Sequence, residues 1–249
     1  MWTAILWGAI AASSLLFGYA LAGRGLSNRI IGMIMGFGAG ALLSAIAYEL
    51  VPESNLGSGG GMVLAFGLGA ITFFGGDWII DHRGGGKRKA IAGVAPGGSG
   101  VSAGSGGSGA SIFVGTLLDN VPESIILGMA FALGGGVNVA FLVAVFISNL
   151  PEGVAGSLNL VKAGNTRRKV FWMWAILVIV SAGCAGLGYM LIQWLPGADG
   201  RFAEAFAAGA MLTMLADAMM PEAFEHGGKL VGLLTALGFL TATALSVMG

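Results

Sequence analysis

The sequence predicts an all-α membrane protein: eight transmembrane helices, inverted repeats within them, and both termini outside. Three observations carry that prediction. Mean hydropathy is +0.87 and only 10% of the 249 residues are charged, against about a quarter in a soluble domain. Eight apolar runs reach the roughly 20 residues that a span requires. The basic residues between those runs fall almost entirely on alternate loops. No single core could bury this much apolar surface in a chain of this length, so lipid must be part of the solvent.

The eight predicted spans are residues 2–22, 30–51, 61–81, 111–134, 137–162, 170–195, 202–221 and 229–248. The first has no basic leader and no convincing cleavage site, so it reads as a retained helix rather than a signal peptide. The second carries "GFGAGALLSA" (36–45) and the sixth "GCAGLGYM" (183–190). Such small residues let membrane helices approach closely. Asp77 and Asp81 close the third span near the surface, where solvation accounts for them. Residues 82–110 are basic, then Gly/Ser-rich, and are expected to form a flexible cytoplasmic loop in an otherwise single domain spanning 1–249. Cys184 is the single cysteine, which excludes an internal disulfide and a cysteine-based metal cluster. Trp2, Trp7, Trp172, Trp174 and Trp194 lie near span ends, where aromatic belts are expected.

Orientation follows from charge. The loops after spans 1, 3, 5 and 7 hold eleven of the twelve Lys and Arg residues, and the opposite side has Arg201. The positive-inside rule makes the first side cytoplasmic. A formal net charge of zero gives no reason to expect nucleic-acid binding.

Two internal echoes stand out. "DNVPES" at 119–124 returns as "SNLPEG" at 148–153, and "AGALLSAIAYELVPES" at 39–54 returns as "AGAMLTMLADAMMPEA" at 208–223. The second copy starts 29 positions after the first in one case and 169 positions after it in the other. Each pair joins an odd-numbered to an even-numbered span, so its copies cross the membrane in opposite directions. That is the trace of an inverted repeat, a device of secondary transporters.

The first pair also carries the chemistry. Asp119 and Glu123 are spaced i, i+4 on one helix face, with Asn120 three before Glu123. On span 5, Ser148 and Glu152 repeat the spacing, with Asn149 three before Glu152. A helical rise of about 1.5 Å per residue puts both motifs near the bilayer middle. A charge there costs at least about 2.5–3.5 kcal/mol on insertion scales. No Lys or Arg lies within either span until the basic end at Lys162. The acids must hold protons, find water or hold a cation, and carboxylate and amide oxygens are hard ligands for divalent metal ions. Pro122 and Pro151 leave the carbonyls of Leu118 and Ile147 without a helical donor, free to turn toward a cavity.

These motifs resemble those of the ZIP (zinc–iron permease) family of metal transporters. That family has eight spans, outside termini and a long cytoplasmic loop between spans 3 and 4. Its fourth span reads His-Asn-x-Pro-Glu-Gly, and its fifth Gln or His, then Asn or Asp, then x-Pro-Glu-Gly. Its seventh is similar to "GAMLTMLADAMMPEA" (209–223). The resemblance implies a metal site between spans 4 and 5 with Glu152 central, and it carries over onto Asn120, Glu123, Asn149 and Glu152. Asp119 stands in place of the family's histidine, Ser148 in place of Gln or His, and Ser181-Ala182 near a sixth-span Glu-Pro. The resulting oxygen-only set suits manganese or ferrous iron at least as well as zinc, and the absent sixth-span Glu implies one metal rather than two. The resemblance also makes Asp217 an exit ligand; Glu222, Glu225 and His226 follow, open between an exit route toward the cytoplasm and, for Glu225 and His226, a solvated helix end. Glu49 and Glu53 hold an outer position, open between an entrance and a solvated end.

The expected function is uptake of a divalent transition metal (zinc, iron or manganese) across the inner membrane. A metal-selective channel and a non-transporting metal sensor are the alternatives. No catalytic residue and no cofactor is expected; the metal is cargo. The expected partners are metal ions and membrane lipid, with a homodimer as the candidate assembly.

Overall fold

The structure is a computed structural model that describes residues 1–51, 60–80, 82, 109–133, 139–194 and 200–248. Eight helices are each long and apolar enough to cross a membrane. They are α1 (Trp2–Ala22), α2 (Asn28–Leu50), α3 (Gly60–Ile80), α4 (Gly109–Ala132), α5 (Val139–Lys162), α6 (Arg167–Trp194), α7 (Arg201–Gly227) and α8 (Leu230–Met248). The architecture is that of a multi-pass, all-helical membrane protein, as expected. Most of the linker predicted over 82–110 lies outside the described residues, as do Glu53 and Asp81. His82 is described: its Nδ1 lies 2.8 Å from the Trp78 carbonyl oxygen.

Local chemistry sets the turns. Ser27 caps α2, its hydroxyl accepting from the Ile30 N–H at 3.4 Å. Gly164 ends α5 at φ +88°, a left-handed conformation that lets the Asn165 N–H reach back to the Leu160 carbonyl at 3.2 Å. Gly228 at φ +69° separates α7 from α8 with one further residue, Lys229.

The helices pack as two groups of four. In one, α1 packs on α5 and α6, and α4 packs on α6; in the other, α2 packs on α7 and α8, and α3 packs on α7. The main contact between groups is α2 against α5. Four helix pairs cross at reciprocal glycines, where a Cβ would overlap or crowd the facing backbone. In α2/α8, Gly40 meets the Thr235 carbonyl and Gly238 meets the Phe37 carbonyl. In α3/α7, Gly209 meets the Phe66 carbonyl and Gly69 meets the Phe206 carbonyl. Every member of one set lies 169 positions from its counterpart in the other, the same offset as the sequence echo.

The other group behaves alike. In α1/α5, Gly18 meets the Leu150 carbonyl and Gly153 the Leu15 carbonyl; in α6/α4, Gly188 meets the Ile125 carbonyl and Gly128 the Ala185 carbonyl. Here α1 and α6 correspond at an offset of 170, and α4 and α5 at an offset of 25. The polar motifs of α4 and α5 echo at 29, which is four more. Four residues make about one helical turn, so the motif has moved along the helix while staying on nearly the same face.

Both members of the longer echo also widen into a π-turn at the same place. Ile46–Leu50 in α2 and Leu215–Met219 in α7 are π-helical. The Val51 N–H donates to Ile46 O, and the Met220 N–H to Leu215 O. The next residue is proline in both copies, Pro52 and Pro221. A proline cannot donate, and a π-turn is one way for a helix to absorb the mismatch. In α7 the helix then continues to Gly227, six residues past the predicted end at 221.

The aromatic-belt expectation fails at Trp174. Trp2, Trp172 and Trp194 are exposed, whereas Trp174 is fully buried among Leu15, Leu160, Val170 and Leu177. Its Nε1 donates to Ser157 Oγ at 2.8 Å, and a Cβ on Gly156 would stand 2.9 Å from its ring. A missing side chain opposite and a hydroxyl acceptor within reach outweigh the pull of the interface.

Gly40→Ala should force α2 and α8 apart and cost about 1–3 kcal/mol, measured as a lowered melting temperature in detergent. Gly67→Ala, where a Cβ meets nothing within 4 Å, should leave the melting temperature unchanged or raise it.

Candidate functional site

The predicted polar residues lie in the middle of α4 and α5, where Asn120, Glu123 and Asn149 meet. Asp119, Asn120 and Glu123 belong to α4, and Ser148, Asn149 and Glu152 to α5. All six are buried, at 2–6% exposure. Both helices run unbroken through their prolines, Pro122 and Pro151. Glycines bring the neighbouring backbones against this region. A Cβ on Gly38 of α2 would stand 2.9 Å from Ser148 Cα and 3.2 Å from Ile147 O, the carbonyl that Pro151 leaves without its helical donor.

Amides tie the two helices together. Asn149 Nδ2 donates to Asn120 Oδ1 at 3.2 Å and to Glu123 Oε2 at 3.4 Å. Asn120 Nδ2 donates to the Thr116 carbonyl at 3.0 Å. Each amide therefore commits its NH₂ group to protein acceptors, which fixes how its oxygen is presented. The Ser148 hydroxyl donates to its own helix, at Val145 O, 2.9 Å away. Ser124 and Thr116 are buried beside this set on α4, and nothing in the motif spacing singles them out.

The electrostatics are one-sided. Among the described residues, the buried charged side chains are Asp119, Glu123, Glu152 and Glu222, all acids, with no buried Lys, Arg or His. Burying carboxylates is costly unless their charge is offset. Ser181 on α6 is fully buried, and its Oγ has no hydrogen-bond partner among the described residues.

Asp217 does not join these residues. It is exposed on the π-turn of α7. A second cluster forms farther along the same helix, where Glu222, Glu225 and His226 place ligand atoms within 4.8 Å of one another. Glu222 is buried, and its Oε1 lies 3.2 Å from His226 Nδ1. The helix runs on past the predicted end at residue 221, and its i, i+3, i+4 spacing gathers these three side chains. Glu49, on the π-turn of α2, accepts from Ser246 Oγ of α8 at 2.5 Å.

No protein-family model and no curated protein matches the chain.

Asn149→Leu should remove the donor shared by Asn120 and Glu123 and leave both acceptors buried, at a cost of about 1–3 kcal/mol. Thermal unfolding in detergent measures it. Trp174→Phe should cost about 1 kcal/mol through the lost bond to Ser157.

Proposed function

We propose that this protein transports divalent transition-metal ions (zinc, iron or manganese) into the cell across the inner membrane, in the manner of the ZIP family whose motifs it resembles. The observation that carries this reading is the buried set of Asp119, Asn120, Glu123, Asn149 and Glu152. Three carboxylates and two oriented amides occupy the middle of two spanning helices, and the charged side chains buried among the described residues are all acids. A divalent ion would balance that charge, and amide and carboxylate oxygens are the ligands that manganese and ferrous iron favour. Asp119 replaces an imidazole with a carboxylate at the position where the resemblance expects histidine. It is the residue on which metal preference turns.

The packing supports alternating access. Contacts at reciprocal glycines recur at fixed offsets within each group, and the two π-turns share the offset of the longer echo. These correspondences favour an inverted repeat, and with it two related states that expose the site to opposite sides. The group formed by α1, α4, α5 and α6 carries the whole midplane set. It rocks against the other group across the α2–α5 contact, where Gly38 and Ser148 leave little side-chain bulk to interlock. Arg24, Arg29, Lys162, Arg167, Arg168, Lys169 and Lys229 flank one set of helix ends, which favours that side as cytoplasmic and the termini as external. Glu222, Glu225 and His226 stand at that same end of α7, a relay toward the cytoplasm.

The test is uptake into liposomes of zinc, manganese, iron and cadmium. Glu152→Ala should reduce uptake of the preferred metal at least about tenfold. Asp119→His should shift selectivity toward zinc. Uptake indifferent to Glu152→Ala would remove the site from the pathway. Retained binding with no uptake of any metal would favour the sensor.

A further inference from the structure

A cavity of about 230 Å³ opens at the basic end of the bundle, between the last turns of α1 and α5 and the start of α6. Its walls are Ala20, Ala22, Leu158 and Val161, with Tyr19 and Ser157. Lys162 and Arg167 line it as well, and no acid is among the described residues around it. The Arg167 guanidinium lies over Gly23, where a Cβ would stand 3.3 Å from Nη1. Tyr19 fixes the corner: its hydroxyl donates to the Arg167 carbonyl at 3.3 Å, and its ring packs on Phe171 with centroids 5.9 Å apart.

We propose that this pocket binds the phosphate of an anionic phospholipid headgroup. Two cations converge on a hollow whose other walls are mostly apolar, at the depth where a spanning helix meets lipid headgroups. Basic pockets between spanning helices on the cytoplasmic side are sites of headgroup recognition. The cavity has room for a phosphate and its glycerol. Exposed apolar surface lies deeper on the same helix. Phe17, a turn deeper on α1, is exposed and packs on Phe146 of α5 with ring centroids 5.9 Å apart. A soluble anion would have no use for that greasy continuation. Arg167 and Lys162 flank the α5–α6 turn, so a bound headgroup would clamp α1, α5 and α6 at their cytoplasmic ends. The pocket lies on the helix group that carries the midplane acids, but its occupancy does not depend on what those acids bind.

Native mass spectrometry of the full-length protein in detergent tests this, with phosphatidylglycerol, phosphatidylcholine or inorganic phosphate as the probe. Phosphatidylglycerol should bind in preference to phosphatidylcholine. The double variant Lys162→Ala/Arg167→Ala should weaken phosphatidylglycerol by about tenfold, while Arg168→Ala/Lys169→Ala, with equal charge loss outside the pocket, should change it by about twofold or less. Ala20→Trp, which fills the cavity and keeps both cations, should weaken it as the first pair does. Equal losses in the two double variants would overturn the pocket in favour of diffuse surface charge, as would an unaffected Ala20→Trp. Inorganic phosphate that displaces the lipid at equal concentration would overturn the lipid as the source of the phosphate. The readout is lipid retention, so failed metal uptake leaves the result intact.

Discussion

A carboxylate inside a spanning helix bundle has to be compensated, and this chain places three of them at one level. Asp119, Glu123 and Glu152 are buried among helices whose basic residues all sit at the ends. Desolvating such groups is costly unless their charge is offset. The surrounding structure keeps that set buried. Asn149 holds α5 to α4 through Asn120 and Glu123. Gly18, Gly38 and Gly153 then let α1 and α2 come close enough to exclude lipid from α5.

A related constraint governs the rest of the bundle. Lipid gives no hydrophobic drive for helices to associate, so close backbone approach has to supply the attraction. Reciprocal glycines do this at four crossings. Their fixed offsets tie the contacts to the internal echoes of the chain. The π-turns do something different. They locally loosen α2 and α7, the two helices that pack most centrally in their group, beside a proline in each case.

Much of this could be read from residues alone, because hydrophobicity acts locally and polar interruptions are conspicuous. The eight spans and the six buried polar residues of α4 and α5 needed only length, spacing and the cost of buried charge. Tertiary effects were out of reach. Trp174 reads as a belt residue until Gly156 and Ser157 are seen to make room and an acceptor for it. Asp217 reads as an exit ligand, and its exposed place on a π-turn is not visible in the spacing. The Glu222–Glu225–His226 group depends on α7 continuing past Pro221, and proline ordinarily signals a boundary. The motif offset of 29 and the contact offset of 25 in α4 and α5 differ by one turn, a distinction that spacing on a helix face hides.

The central claim is that a divalent cation completes the acid and amide set between α4 and α5. Anomalous diffraction at the manganese edge, from crystals of the full-length protein grown with manganese, tests it most directly. The account predicts a peak within coordination distance of Glu123 and Glu152 oxygens, lost in crystals of Glu152→Ala. A peak confined to Glu222, Glu225 and His226, with none between α4 and α5, would contradict it.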